Sequence, residues 1–279
     1  MAKILDGHIH IMEKDGDRKR FTAELARAGV DGGIVISLPP ASFNLNTAKM
    51  PTRKRIENLL SWKGRNPDIY PFYWIDPLEK DACRQVMEAV NAGVAGFKVI
   101  CNRFYPADPR AFRIYRAVAG TGRPILFHSG ILWDNRPGSS IFNRPVEFEK
   151  LLGIENLKFA LAHISWPWCD ELIAVYGKFC SQRRHSPGKT AELFVDLTPG
   201  TPIVYRKEVL TKLLTTGYPV RENILFGSDS LADNYESSCV LQMKKRDCSI
   251  YNRLRLDRKE IANIFGDNLQ RFLGLSDNF

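Results

Sequence analysis

Ile4-Leu-Asp-Gly-His-Ile-His-Ile-Met12 is an apolar, β-branched run with two histidines, His8 and His10, set two residues apart. Side chains at i and i+2 share one face of a strand, so both imidazoles point the same way from an opening strand. Two imidazoles side by side make a poor core and a good pair of ligands, because neutral imidazole binds zinc and its first-row neighbours. The spacing alone is equally compatible with one histidine capping a turn and the other facing solvent. The other polar residues at strand ends bear on that choice.

Outward from this stretch the chain alternates between two periodicities. Residues 18–29 carry Phe21, Leu25 and Ala28 at helical spacing and stop at Gly29. Ile34-Val35-Ile36 reads as a second strand, ended by Pro39 and Pro40, and a loop runs to about Pro51, which opens a helix over 52–65. Further strands are predicted over 69–75, 94–100, 124–128, 157–163, 193–197 and 224–229. Helices over 79–92, 109–119, 145–152, 172–180, 203–215 and 258–265 alternate with them. Eight strand–helix units predict an α/β fold, a closed (β/α)8 TIM barrel occupying 1–279 as a single domain. An open doubly wound sheet is the competing arrangement, but no Gly-x-Gly-x-x-Gly follows an early strand.

This register puts His8 and His10 at the end of the first strand, Lys98 near the end of the fourth and His128 at the end of the fifth. His163 ends the sixth strand and Asp229 the eighth. Barrel enzymes keep their active sites at the carboxyl ends of the strands. His8, His10, His128, His163 and Asp229 are all of types that bind or serve a divalent metal. The chain has five histidines, and four take these positions. The fifth, His185, falls in a basic loop over 182–189 and reads as surface. Arg103, Tyr105, Trp133, Asp134, Arg136, Trp166 and Trp168 sit in loops after the strands, where packing is the simplest role.

Composition narrows the function classes. Lys and Arg number 40 against 31 Asp and Glu, a net charge of +9. The excess is scattered, with small clusters at 18–20, 53–55, 183–185 and 244–246, and no aromatic-interleaved nucleic-acid motif accompanies it. Six cysteines show neither a C-x-x-C pair nor zinc-finger spacing. No cleavable leader and no membrane-spanning apolar run are apparent. The expectation is a reduced, cytoplasmic protein acting on a small molecule, without nucleic-acid or membrane partners. A homo-oligomer is compatible with the sequence.

Asp6-Gly-His8-Ile-His10, Gly96-Phe-Lys98, Ile125-Leu-Phe-His128-Ser-Gly, Ala162-His163 and Leu225-Phe-Gly-Ser-Asp229 together resemble the amidohydrolase superfamily of metal-dependent barrel enzymes. The narrower resemblance is to its amidohydrolase-related branch, which includes aminocarboxymuconate-semialdehyde decarboxylase-like enzymes. The tail Ile264-Phe-Gly-Asp-Asn268-Leu-Gln-Arg-Phe-Leu-Gly-Leu is similar to the closing helix of that branch. The resemblance implies His8, His10, His128 and Asp229 as ligands of one divalent ion, zinc above others. It implies His163 as a residue that orients water or polarises substrate, and Asp229 as the acceptor of a water proton. A zinc ion lowers the pKa of bound water to about 7. By the same resemblance Lys98 is a carbamylated bridge between two metals, a free ammonium that contacts substrate, or a structural ion-pair partner. One ion is expected, and two if Lys98 is carbamylated.

Hydrolysis of an amide, ester or lactone bond in a small, perhaps carboxylated, molecule is the leading expectation. Non-oxidative decarboxylation is the alternative inside the same branch. Its members carry a long insertion after the first-strand motif, whereas about ten residues separate His10 from the first helix here, which favours a hydrolase. A catalytically retired metal-binding barrel is the non-enzyme alternative, disfavoured because no expected ligand position is substituted.

Overall fold

The computed structural model describes residues 2–12, 15–43 and 50–275, so part of the expected loop before Pro51, 44–49, lies outside the described residues. β1 (Leu5–His10), α1 (Arg18–Arg27), β2 (Gly32–Ile36), α2 (Thr52–Lys63), β3 (Ile69–Trp74) and α3 (Ala82–Asn91) alternate as the sequence predicts. The rhythm continues through β4 (Gly96–Val99), α4 (Pro109–Ala119), β5 (Ile125–Phe127), β6 (Lys158–Leu161), α5 (Cys169–His185), β7 (Glu192–Asp196) and α6 (Ile203–Thr215). It ends with β8 (Ile224–Leu225), β9 (Ser230–Leu231), α7 (Ser237–Arg253), α8 (Arg258–Ala262) and α9 (Asn268–Phe272).

All pairings are parallel, in the order β8-β7-β6-β5-β4-β3-β2-β1-β9. This corrects the expected eight strands paired in an unbroken ring. Of the run 224–229 predicted as the eighth strand only Ile224–Leu225 is extended, and a further short strand, Ser230–Leu231, follows it on the opposite edge of a curled nine-stranded sheet. The cause is local: Asp229 adopts a left-handed backbone, φ +57°, which interrupts the extended run between β8 and β9.

Strand alternation sorts the apolar residues into two cores. Leu5, Ile34, Ile36, Phe72, Leu126 and Phe194 face inward, and Phe272 of α9 plugs that interior with ring centroids 6.3 Å from Phe72 and 5.0 Å from Phe194. Val35, Tyr73, Phe97, Phe127 and Val195 point the other way, into the layer shared with the helices. A Cβ on Gly96 would lie 2.3 Å from the Phe72 ring, so this strand position admits only glycine.

Three helical expectations need correction. Residues Pro145–Gly153 form a 3₁₀ segment, not an α-helix. His185 ends α5 instead of lying in a loop, though it is exposed as expected. The closing helix runs past 265 through a π-turn, Asn263–Asp267, into α9. α7 is a helix that the apolar spacing of the sequence does not predict. One of its buried anchors is Asp247, which accepts two hydrogen bonds from Arg206 of α6 at 3.0 and 2.6 Å. A charge at a core position breaks the apolar stripe by which such a helix is read.

Candidate metal centre

Leu5 faces the interior, and strict alternation would send Ile9 inward with it and both histidines outward. The structure shows the reverse: Ile9 joins the outer core while His8 is fully buried among the inner residues. A register shift between Asp6 and Ile9 in the β1–β2 pairing makes the difference, a bulge that re-aims the side chains beyond it. Asp6 holds this region to the segment after β8. Its Oδ1 accepts from His8 N at 3.1 Å and Ser228 N at 2.9 Å, and its Oδ2 from the Tyr235 hydroxyl at 3.0 Å.

His8, His10 and Asp229 converge. The Nε2 atoms of His8 and His10 are 3.0 Å apart, and Asp229 Oδ1 lies 3.5 Å from the first and 3.6 Å from the second. These are the three residues that, among those described, gather as a possible metal group. The centre of that triangle is about 2.0 Å from each corner, the length of zinc–nitrogen and zinc–oxygen bonds. The donor set fits a divalent ion on chemical grounds too. His8 Nδ1 sits 2.7 Å from the buried Asp196 carboxylate, which accepts hydrogen bonds, so His8 carries its proton there and turns a lone pair at Nε2 into the site. Lys98 Nζ approaches that lone pair at 3.2 Å.

Asp196 was not singled out from sequence, although an aspartate at the carboxyl end of an apolar seventh strand was the available signal. It also anchors the next residues: its Oδ1 accepts from Thr198 N at 2.6 Å, and the Thr198 hydroxyl lies 2.9 Å from His163 Nδ1. His163 was expected to end β6. It follows that strand instead, with φ +63°, and Ile164 and Ser165 continue the left-handed path at +48° and +53°. Such backbone is costly for a β-branched residue and collects at functional sites. Gly200 allows the turn, since a Cβ there would lie 2.6 Å from the His163 Cβ.

The remaining expected residues share the cavity above this cluster, which has a volume of about 390 Å³ and is lined by His10, Lys98, His128, His163 and Asp229 among others. The His128 and His163 ring centroids are 4.9 Å apart. His128 stands outside the three-atom cluster, with its Nε2 3.1 Å from the Ile131 carbonyl.

Burial dominates the electrostatics. It holds His8, His10 and His163 well below the ordinary imidazole range, with Lys98 and the neighbouring histidines adding to the effect. His128 is pushed down to about 3 by burial and by Lys98. Burial also lowers Lys98, against the pull of Asp229 and Asp196. It raises Asp229 and Asp196, and Asp6 to about 6.

These shifts set an acid response of the metal-free protein. In the unfolded chain the four imidazoles take up protons near pH 6.5, while in the folded protein they stay neutral further down, so acid favours unfolding from about pH 6.5 downward. The raised carboxylates work in the opposite sense between their unfolded and folded values, because the folded protein holds protons that the unfolded chain releases. The imidazoles outnumber them. The urea midpoint of metal-free protein is therefore expected to fall between pH 7.5 and pH 5, and a constant or rising midpoint would contradict four buried neutral imidazoles.

The family model described as amidohydrolase matches residues 6–275. The chain belongs to the amidohydrolase family. Members of this superfamily are metal-dependent. Among solved structures, an uncharacterized TIM-barrel protein from Bordetella bronchiseptica matches with a TM-score of 0.70 at 16% identity, covering 99% of this chain and 100% of that one. A probable 2-pyrone-4,6-dicarboxylic acid hydrolase from Acinetobacter baumannii, solved with citric acid bound, gives 0.63 at 12% identity, covering 98% and 100%. A 2,6-dihydroxybenzoate decarboxylase from Rhizobium gives 0.62 at 16% identity, covering 99% of each chain. At these identities the likeness is one of fold. No curated protein matches the chain. No helix among the described residues is long and apolar enough to cross a membrane.

Proposed function

We propose that this amidohydrolase is a metal-dependent hydrolase that cleaves an amide, ester or lactone bond of a small molecule. The observation that carries the reading is the convergence of His8 Nε2, His10 Nε2 and Asp229 Oδ1, with Asp196 fixing His8 from behind. We read the run 224–231 as one interrupted eighth strand that closes a (β/α)8 barrel. Gly7 N donates to Phe226 O at 2.8 Å, and β9 pairs with β1, both in support of closure.

The ion proposed is a single zinc, which suits imidazole nitrogen and carboxylate oxygen together. His8, His10 and Asp229 would hold it, with His128 as a further nitrogen ligand. When bound, a divalent ion supplies an acidified water near neutral pH and polarises a carbonyl. Asp229, facing the same point as the two imidazoles, would take a proton from water and pass it to the leaving group. His163 has Nδ1 engaged by Thr198, which leaves Nε2 to face water or substrate. Lys98 is assigned as a free ammonium that contacts substrate at the cavity floor, its pKa lowered by burial to about 8 and the group so still charged at neutral pH. Its carbamylation, with a second ion, is the alternative.

A panel of esters, lactones and amides, assayed beside carbon dioxide release from aromatic acids, tests the reaction. Hydrolysis abolished by chelation and restored by zinc is expected. Carbon dioxide release without hydrolysis would replace this reading with the decarboxylase one.

A further inference from the structure

The wall of the cavity is unlike its floor. Around the polar cluster stand Phe43, Trp74, Ile100, Leu132, Trp133 and Trp166. Among the described lining residues Lys98 is the sole lysine or arginine, and it lies against His8 at the floor. Arg103 and Arg136, the two arginines noted in the strand-end loops, are engaged elsewhere. Arg103 donates to the Asp76 carboxylate, and Arg136 donates to the Ser42 carbonyl at 3.1 Å. Neither lines the cavity.

At the mouth, Trp133 is 84% exposed and Leu231 42% exposed, so the apolar wall continues outward past the rim. An aromatic ring left this open gains by covering an apolar body that enters beside it. A volume of about 390 Å³ stands at the small end of ligand cavities, room for a body of one or two rings.

We infer that the substrate is a compact aromatic or alicyclic molecule that carries one polar group for the floor and no second anionic group. A lone carboxylate or carbonyl meets the cluster and Lys98. A second carboxylate would press against indole, phenyl and aliphatic walls with no second cation among the described lining residues to pair it, and an unpaired buried charge is strongly disfavoured. This inference rests on the proposed hydrolase only for the bond that is cleaved. The body that is bound is set by the walls.

Non-reacting probes separate the two. Binding of acetophenone, benzoate, isophthalate and citrate to zinc-loaded protein is measured by calorimetry and by quenching of tryptophan fluorescence. Acetophenone or benzoate is expected to bind at least ~10-fold more tightly than isophthalate and citrate, as one unpaired charge costs more than the 1.4 kcal/mol that tenfold represents. Trp133→Ala is expected to weaken acetophenone by roughly 2–12-fold, the worth of one aromatic contact, with metal content unchanged. Tighter binding of isophthalate or citrate overturns the inference, as does a Trp133→Ala variant that binds acetophenone like the parent. If this ranking holds while no ester, lactone or amide is hydrolysed, the hydrolase reading fails and the substrate class stands.

Discussion

His8→Ala is expected to lose its metal and its activity together. The side chain supplies one corner of the triangle through Nε2, and its Nδ1 holds the buried Asp196 carboxylate at 2.7 Å. Removing a residue that only supports a ligand costs 10–100-fold in metal affinity, and removing the ligand itself should exceed that. The substitution also leaves Asp196 buried without its partner, so the thermal midpoint should fall as well. Metal titration of the refolded, melt-checked variant measures the first effect apart from the second. Affinity within tenfold of the parent would remove His8 from the ligand set.

His163→Ala should behave differently: metal retained, turnover reduced by ~10²–10³-fold, the usual loss when a group that stabilises developing charge is deleted. The basis is position. His163 lies over the cluster, 5.4 Å from the His8 ring centroid, with Nδ1 occupied by Thr198. Asp229→Asn should fall between the two variants, because a neutral amide ligates more weakly and accepts no proton. Metal content and kcat of the variants, measured side by side, are the check. Loss of metal from His163→Ala as complete as from His8→Ala would make His163 a ligand and bring Lys98 forward as the bridge of a two-ion site.

Most of the fold was legible because strand and helix periodicities are set by the chain itself. Residues 109–119 and 203–215 were bounded correctly from apolar spacing and the prolines near their starts. What escaped were places where tertiary contacts override the local pattern. α7 hides behind the Arg206–Asp247 pair, and the 3₁₀ segment after Pro145 has the apolar spacing of an α-helix without its hydrogen bonding.

The same division holds at the site. The pairing of His8 and His10 was readable from their spacing, and so was the placing of Lys98, His128, His163 and Asp229 near strand ends. The bulge that turns β1 inward was not readable, since alternation alone assigns the wrong face after Leu5. Nor was the left-handed backbone at His163 and Asp229, which aims two polar residues in a way no extended strand could. Asp196 was visible as a residue and silent as a role, because its partner is 188 positions away in the chain.

His8, His10 and Asp229 are proposed to hold a divalent ion. Elemental analysis of protein purified without added metal, alongside zinc titration of chelator-stripped protein, tests this assignment most directly. One divalent ion per chain, zinc foremost, and a single tight site on titration are expected. A chain that emerges free of metal and takes up no zinc in the stripped state would contradict it.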